Sequence, residues 1–380
     1  MTPAVRSVLV VGAGVAGCAA AVLLARSGVE VEVVEARPGT TDTGSGITLQ
    51  GNALRVLRDL GAWPEVSARG FAFDSLGLRA PDAAGTLLAE VPDVRTGGPD
   101  LPATLGMSRP ALAGIVLDLA VEAGARLRLG VAATGLEQDA DGVDVTFSDA
   151  AARRYDLVVG ADGIRSWTRR TVGIDAEPEG TGMGIWRVSL PRPADVVRTD
   201  LTYGGPCHIA GYCPTGPDSV YAYLVEDVQD RSGLTRAEQV EVVRGLASAY
   251  HGPWDALRDS LTADTPVNYT RFETHLVEGP WHRGRVVLVG DAVHSCPPTI
   301  AQGAAQALED SAVLADLLLQ APVWDEDVLV RYADRRRDRA RQVVDASVQI
   351  GRWMLDRTPR EQADVPGLLR RISALVEVPA

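Results

Sequence analysis

At 380 residues, with 46% hydrophobic and 23% charged content, the chain is long enough to bury a large core and to divide into two domains. Its formal charge of -13 and pI near 4.9 repel phosphate backbones and anionic lipid, which argues against nucleic acid and membrane surfaces as partners. All 37 basic residues are arginine, so Schiff-base catalysis, pyridoxal phosphate attachment and a phosphate-binding-loop lysine, each of which needs an amine, are excluded.

The N-terminal third carries the first motif. From Ser7 to Ala25 the chain is uncharged, and Val15-Ala16-Gly17-Cys18 has the look of a lipoprotein cleavage box. The run divides by period, however. Val8 to Val11 reads as a short strand, glycines stand at 12, 14 and 17, and Ala16 to Arg26 is rich in helix formers up to Gly28. Val29 to Glu35 then alternates as a second strand. Cleavage before Cys18 would destroy this unit, so the segment is read as the core of a dinucleotide fold and the protein as cytoplasmic. Cys18, Cys207, Cys213 and Cys296 are sparse and irregularly spaced, which suits free thiols in a reducing compartment.

Each glycine has a physical task in such a unit. Gly12 permits the tight turn out of the strand, Gly14 lets the backbone approach a pyrophosphate at the helix N-terminus, and Gly17 allows helix and strand to pack closely. Glu35 ends the second strand, where a carboxylate accepts hydrogen bonds from ribose hydroxyls. This predicts a bound dinucleotide without saying whether it is FAD or NAD. Two later segments bear on the choice. Tyr155 to Gly160 is a strand running into Ala161-Asp162-Gly163, and Val286 to Val289 runs into Gly290-Asp291 and then into a helix from about Gln302. Three strand-to-turn carboxylate sites so far apart suit one long ligand gripped at several points. FAD, with adenosine, pyrophosphate, ribityl and isoalloxazine parts, is such a ligand.

Taken in order, Gly12/Gly14/Gly17 with Glu35 and Arg37, Gly44-Ser45-Gly46-Ile47, Ser108-Arg109-Pro110-Ala111-Leu112, Asp162-Gly163 and Gly290-Asp291 give a sequence that resembles the single-component flavoprotein aromatic hydroxylases. That family includes para-hydroxybenzoate and salicylate hydroxylases, and the resemblance covers most of residues 5 to 345. It implies an α/β fold in which a Rossmann-like FAD-binding domain carries a β-sheet substrate domain and a long C-terminal helix. By the same resemblance Gly12, Gly14, Gly17 and Glu35 hold the ADP half of FAD, Arg109 contacts its phosphate-ribityl region, and Ala16, Arg37 and Gly46 are further cofactor-binding positions. Asp291 would bind the ribityl hydroxyls, and Asp162 and Gly163 would serve both FAD and NAD(P)H. NADPH or NADH would bind transiently and reduce the flavin, after which molecular oxygen would give a flavin hydroperoxide that hydroxylates a small aromatic or heteroaromatic substrate. That species decays to peroxide in water, so the protein must exclude solvent and orient the ring.

The residues themselves agree at Asp291, since a carboxylate at the end of a buried strand needs donors and ribityl hydroxyls are donors. Helix capping is the alternative there, and a plain Asp-Gly turn is the stronger alternative at Asp162. The expected division is 1–75, 103–178 and 276–322 for the FAD domain, 76–102 and 179–275 for the substrate sheet, and 323–380 for a C-terminal helical segment. No additional C-terminal domain of the kind larger relatives carry is expected, and the chain is expected to act as a monomer or homodimer.

Residues 179 to 275 have a different texture, with short alternating runs, many Gly and Pro, and most of the tyrosines. Gly184 to Leu190, Cys207 to Tyr212, Ser219 to Val225 and the region from Leu76 to Leu88 read as strands. Period-2 alternation puts Tyr221 and Tyr223 on one face. Arg187, Tyr212, Tyr221 and Tyr223 are candidate substrate contacts, and Arg187, Tyr221 and His208 are candidates to favour a phenolate. Each is also readable as a half-buried strand residue with a satisfied hydrogen bond. A metal site at Cys207, His208 and Cys213 is set aside, because the spacing lacks a two-Cys pair and a fourth ligand.

The stretch Gly290 to Asp310 gathers Asp291, His294 and Cys296 within six residues. Asp291 is kept as a flavin ligand, while His294 and Cys296 lack a third group that would make them a catalytic pair, and His294 is expected to pack or hydrogen-bond in the turn. The resemblance directs attention to Pro298, whose carbonyl would border the pocket, and to Gln302 and Gly303, whose backbone would open a helix that stabilises negative charge on the reduced flavin. Ser295, Pro297 and Thr299 depart from the bulkier residues common in that family. Val328 to Leu355 reads as a long amphipathic helix, and the basic run Arg331 to Arg341 as its solvated face. Two alternatives stand beside the hydroxylase: a flavin reductase or dehydrogenase that does not oxygenate, and a flavin-binding partner protein without catalysis.

Overall fold

The computed structural model describes residues 4–39, 45–359 and 361–380. Its first layer is a six-stranded sheet in the order His282–Arg283, Val286–Leu288, Leu157–Gly160, Ser7–Val11, Glu30–Glu35 and Arg126–Leu129. All neighbours run parallel except the first pair. Parallel strands covered on both faces need near-continuous apolar runs, and Val8, Leu9, Val10, Leu157, Val158, Val159, Val286 and Val287 are wholly buried. Each such side chain contributes about 1.5–3 kcal/mol relative to its exposed state. The helices Val15–Arg26, Arg109–Glu122 and Gly303–Gln320 close the main core.

The alternation expected of Val29 to Glu35 fails at Glu32, which is 2% exposed. Its carboxylate accepts from Arg128 Nη1 at 2.8 Å and Arg153 Nη1 at 2.9 Å, and those partners compensate its desolvation.

The second layer is an eight-stranded sheet in the order His294–Ser295, Val267–Leu276, Glu179–Pro191, Ser219–Asp227, Cys207–Pro214, Thr199–Gly204, Ser75–Arg79 and Leu87–Pro92. Strands from both stretches expected in the substrate domain join here, and His294–Ser295 from the stretch after the flavin-side strand adds the far edge. One face is covered by two helices, Arg236–Ala247 and Pro253–Asp259. The β texture of the region concealed them, although Thr235 and Glu238 form a capping box that the sequence spells out as Thr-x-x-Glu. The opposite face meets a small antiparallel sheet of Gly46–Gln50, Thr104–Ser108 and Phe71–Phe73. Contact there is close: a Cβ on Gly106 would stand 2.1 Å from the Pro214 carbonyl oxygen.

Helix Asp327–Leu355 runs along both layers, as the amphipathic pattern predicts. Its Tyr332 and Ala333 enter the main core, and Met354 and Leu355 pack on the substrate sheet beside Met183 and Ile185. The expectation of a solvated arginine face is wrong at one position, since Arg336 is 0% exposed. Among the described residues no helix is long and apolar enough to cross a membrane.

Candidate functional site

The turn between Ser7–Val11 and Val15–Arg26 is set by backbone sterics. Gly12 has φ +106°, and a Cβ there would lie 2.5 Å from the Ala161 carbonyl oxygen; on Gly17 it would lie 2.1 Å from that of Gly12. Gly14 is different, because no protein atom lies within 4 Å of its Cβ position. Packing demands the first and third glycines, whereas the second leaves room for a ligand to approach the backbone. Helix Val15–Arg26 begins at Gly14 with no side-chain cap and no acidic residue in its first turn, so no residue of the helix itself answers its positive end. Ala16 anchors this helix, its carbonyl accepting the Ser311 hydroxyl at 2.8 Å. Glu35 accepts the N–H groups of Ala13 at 3.1 Å and Arg37 at 2.9 Å, which holds its carboxylate beside the helix start. Arg37 is exposed.

Asp162 needs correction as a side-chain ligand. Its carboxylate accepts the Ser166 hydroxyl at 2.5 Å and both the N–H and hydroxyl of Thr168 at 2.8 and 3.0 Å. The group is committed to its own turn, and only the backbone of Asp162 and Gly163, the latter at φ +81°, is left for a cofactor. Gly44 lies outside the described residues.

Arg109 and Asp291 form the next part of the cleft. Arg109 is exposed, its N–H held by the Ser45 carbonyl at 3.1 Å, and among the described residues no carboxylate lies within ion-pair distance of it. Asp291 is the middle residue of a short 3-10 turn, Gly290–Ala292, and its carboxylate accepts no hydrogen bond from the described residues. Water reaches it, yet the surrounding protein raises its pKa by desolvation, which the charge of Arg109 opposes. An unpaired guanidinium and an unpaired carboxylate close enough for their charges to interact match the phosphate and ribityl hydroxyls of FAD in donor and acceptor chemistry.

Further along, Pro298 is exposed at the head of a second 3-10 turn and Ala301 takes the left-handed conformation at φ +53°. Helix Gly303–Gln320 then starts without a side-chain cap or acidic first turn, and no protein atom approaches the Cβ position of Gly303. The side chain of Gln302, by contrast, is turned inward and 0% exposed, bonded to Asn52, Gln306 and Gln50.

On the substrate sheet the pairing Cys213↔Tyr221↔Ser189 and Gly211↔Tyr223↔Arg187 places Arg187, Tyr221 and Tyr223 on the face toward Gly46. Gly46 is required there, since a Cβ would lie 2.5 Å from that of Tyr221. Arg187 Nε donates to the Tyr221 hydroxyl at 3.1 Å and Nη1 donates to the Thr270 hydroxyl. No carboxylate among the described residues pairs with it. The rings of Tyr221 and Tyr223 lie 5.1 Å apart, and burial raises the pKa of both, with Arg187 and then Arg109 opposing the rise at Tyr221.

Two candidates do not belong to this group. Tyr212 faces the other side of the sheet, donating to Asp200 Oδ2 at 2.7 Å and packing edge-on against Trp254. His208 sits at the start of its strand, paired with Asp227 at 2.9 Å, five residues from Cys213 and so roughly 16 Å along the strand from Tyr221. Cys207 and Cys213 lie in cores on opposite sides of the sheet, and the described residues hold no cluster suited to a metal.

Sequence reading missed the residues that hold the 290–302 segment. His294 bonds to Asp310 at 2.7 Å, and Asp310 is wholly buried against Arg336. The signal was present: Gln302, Gln306, Glu309 and Asp310 recur at helical spacing on the inner side of an Ala- and Leu-rich helix. His275 was also missed. Arg169 can only donate, so His275 Nε2 accepts from its Nη1 at 3.2 Å, and Nδ1–H must donate to the Ser295 hydroxyl at 2.9 Å. Burial, then the charge of Arg169, lowers the His275 pKa to about 4.

Comparison with known proteins agrees with this geometry. The family model for the FAD binding domain matches residues 6–347. YetM of Bacillus subtilis is 31% identical over 358 residues, covering 93% of this chain and 95% of that protein. The 2-heptyl-3-hydroxy-4(1H)-quinolone synthase of Pseudomonas aeruginosa is 30% identical over 354 residues, covering 91% and 89%. The crystal structure of Klebsiella pneumoniae HpxO complexed with FAD and uric acid superposes with a TM-score of 0.82 over 98% of this chain and 92% of that one, at 23% identity.

Proposed function

Because the chain belongs to the FAD-binding family of flavoprotein hydroxylases and is an FAD-dependent monooxygenase of the aromatic-hydroxylase type, we propose that it hydroxylates an electron-rich ring bearing an ionisable oxygen, using NADPH or NADH and O2 in the cytoplasm. The balance is ring–H + O2 + NAD(P)H + H⁺ → ring–OH + NAD(P)⁺ + H2O. Bound FAD supplies the electron transfer and the activation of oxygen. Gly14 and the adjoining helix start would receive its pyrophosphate, Glu35 the ribose, Arg109 and Asp291 the phosphate-ribityl region, and the backbone at Gly303 the flavin edge.

One observation carries the choice of ring chemistry: Arg187 lies beside Tyr221 with hydroxyl partners and, among the described residues, no carboxylate. Its donation occupies an acceptor site on Tyr221 and on Thr270, so both hydroxyl protons are free to donate elsewhere. The constellation is therefore rich in donors and positively charged, and it favours a ring oxygen in its anionic or oxo form. Withdrawing a proton from that oxygen raises electron density at the neighbouring carbon where oxygen is inserted. Raised pKa values keep Tyr221 and Tyr223 as neutral donors. The quinolone and uric acid named for two similar proteins are oxygenated N-heterocycles, which supports a heteroaromatic substrate. The test is a screen of hydroxylated aromatic and N-heteroaromatic compounds for stimulated NAD(P)H consumption, followed by mass analysis of product made under ¹⁸O2. Labelled product is expected. Turnover of NAD(P)H with product that never carries the label would establish a non-oxygenating flavoenzyme instead.

A further inference from the structure

The basic run of the long helix contains a residue that no solvated face explains. Arg336 is 0% exposed, and its three nitrogens address three different residues. Nε donates to Asp310 Oδ1 at 2.8 Å, Nη1 to Glu309 Oε2 at 2.9 Å, and Nη2 to Gln306 Oε1 at 2.7 Å. The other oxygen of Asp310 accepts the N–H of Gly290 at 2.9 Å and Nε2 of His294 at 2.7 Å. One carboxylate thus pins both ends of the five-residue turn that carries Asp291. Gln306 Nε2 in turn donates to Gln302 Oε1 at 3.0 Å, with Asn52 bonded to the same oxygen at 3.1 Å. The segment that presents Asp291 at one end and the start of helix Gly303–Gln320 at the other is held at both ends through one guanidinium.

We propose that Arg336 is a positioning residue for the flavin, setting the separation of Asp291 and the Gly303 helix start through two arms, Asp310 to Gly290 and His294, and Gln306 to Gln302. Lysine has three donors, but they radiate from one nitrogen, without the planar fork that reaches Asp310, Glu309 and Gln306 at once. Burial alone lowers the affinity of Arg336 for its proton, and the charges of Asp310 and Glu309 more than reverse this, so the hub stays charged. The same helix ties the segment at two further points, Tyr332 donating to the Leu288 carbonyl at 3.1 Å and Thr299 donating to that of Ser347 at 2.8 Å. The inference rests on the proposed role of Asp291 and Gly303 in holding FAD.

The test uses the full-length holoenzyme and the variants Asp310→Asn, Gln306→Leu, their double variant, Arg336→Gln and Arg336→Lys. Far-UV circular dichroism and Tm report folding. The FAD dissociation constant, from flavin fluorescence released on dilution, and the visible circular dichroism of bound flavin report the site. Each single-arm variant is expected to fold, to bind FAD about tenfold more weakly and to alter the visible flavin spectrum. The double variant should lose less than the product of the two, because both arms act through one hub, and Arg336→Lys should regain part of what Arg336→Gln loses. If the single-arm variants lower Tm while the FAD constant stays within twofold of wild type and the spectrum is unchanged, Arg336 is merely structural and the proposal is overturned. The single-arm variants decide the matter even if those at Arg336 fail to fold. Wild-type protein that takes up no FAD would sink the functional reading itself, a separate outcome.

Discussion

Two turns flank the same cleft and are built in opposite ways. The turn at Gly12–Gly17 holds its shape by backbone contact: Gly12 and Gly17 are where they are because a single carbon would strike a carbonyl oxygen at 2.5 or 2.1 Å. The segment from Gly290 to Gly303 has positive φ at Gly290 and Ala301, but its position is dictated by buried side chains from distant elements, Asn52, His275, Asp310 and Arg336 among them. A turn of the first kind is fixed by backbone sterics and is cheap to specify. The second is an assembled one, and its geometry depends on polar groups whose burial is tolerated only while every partner is present.

The contrast can be broken experimentally. The largest effect is expected from pH at the assembled segment. His275 has a folded pKa of about 4, below its unfolded value near 6.5, so the unfolded chain binds more protons in that window. Its contribution is complete above about pH 6.5 and is lost as pH falls toward 4, amounting to about 3 kcal/mol. Urea unfolding of wild type and His275→Gln between pH 7 and 4.5 checks this: the wild-type slope should be steeper, and equal slopes would count against it.

A smaller loss is expected at the local turn. Gly17→Ala forces a methyl against backbone that cannot yield as a flexible side chain can, costing roughly 1–3 kcal/mol. The flavin-to-protein absorbance ratio should fall together with Tm. Smallest in stability is Gly14→Ala, where open space surrounds the new methyl. Unfolding free energy without added FAD should move by less than about 0.5 kcal/mol, while FAD affinity weakens because the methyl occupies the approach to the backbone. A Gly14→Ala protein that binds FAD normally would show that the ligand does not come near this glycine.

Legibility followed the same division. The strand-turn-helix at the N-terminus, the last strand-to-turn site at Gly290-Asp291, the long helix to Leu355 and the shared face of Tyr221 and Tyr223 are all readable, because each shows in period or in the placing of glycines. The errors have a common cause. Asp162 satisfies its own turn, Tyr212 points to the helical side of the sheet, and His208 lies at a strand start with Asp227. Alternation says which residues share a face, but only packing decides which face meets the cleft. Arg336 is the sharpest case, since a basic run on an amphipathic helix reads as solvated until a buried pair of acids is known to wait for it.

By itself, then, the sequence determined a dinucleotide corner, a flavin-sized set of binding positions and a tyrosine-rich sheet, through backbone sterics and periodicity that act over short chain distances. Only the tertiary structure decided that Arg187 lies beside Tyr221 with no counter-ion among the described residues, that Asp291 and Arg109 lie near enough for their charges to interact, and that Arg336 lies at the centre of a buried network. Those facts arise from residues tens to hundreds of positions apart meeting in a low-dielectric interior, where the value of a charge depends on what else has been buried beside it.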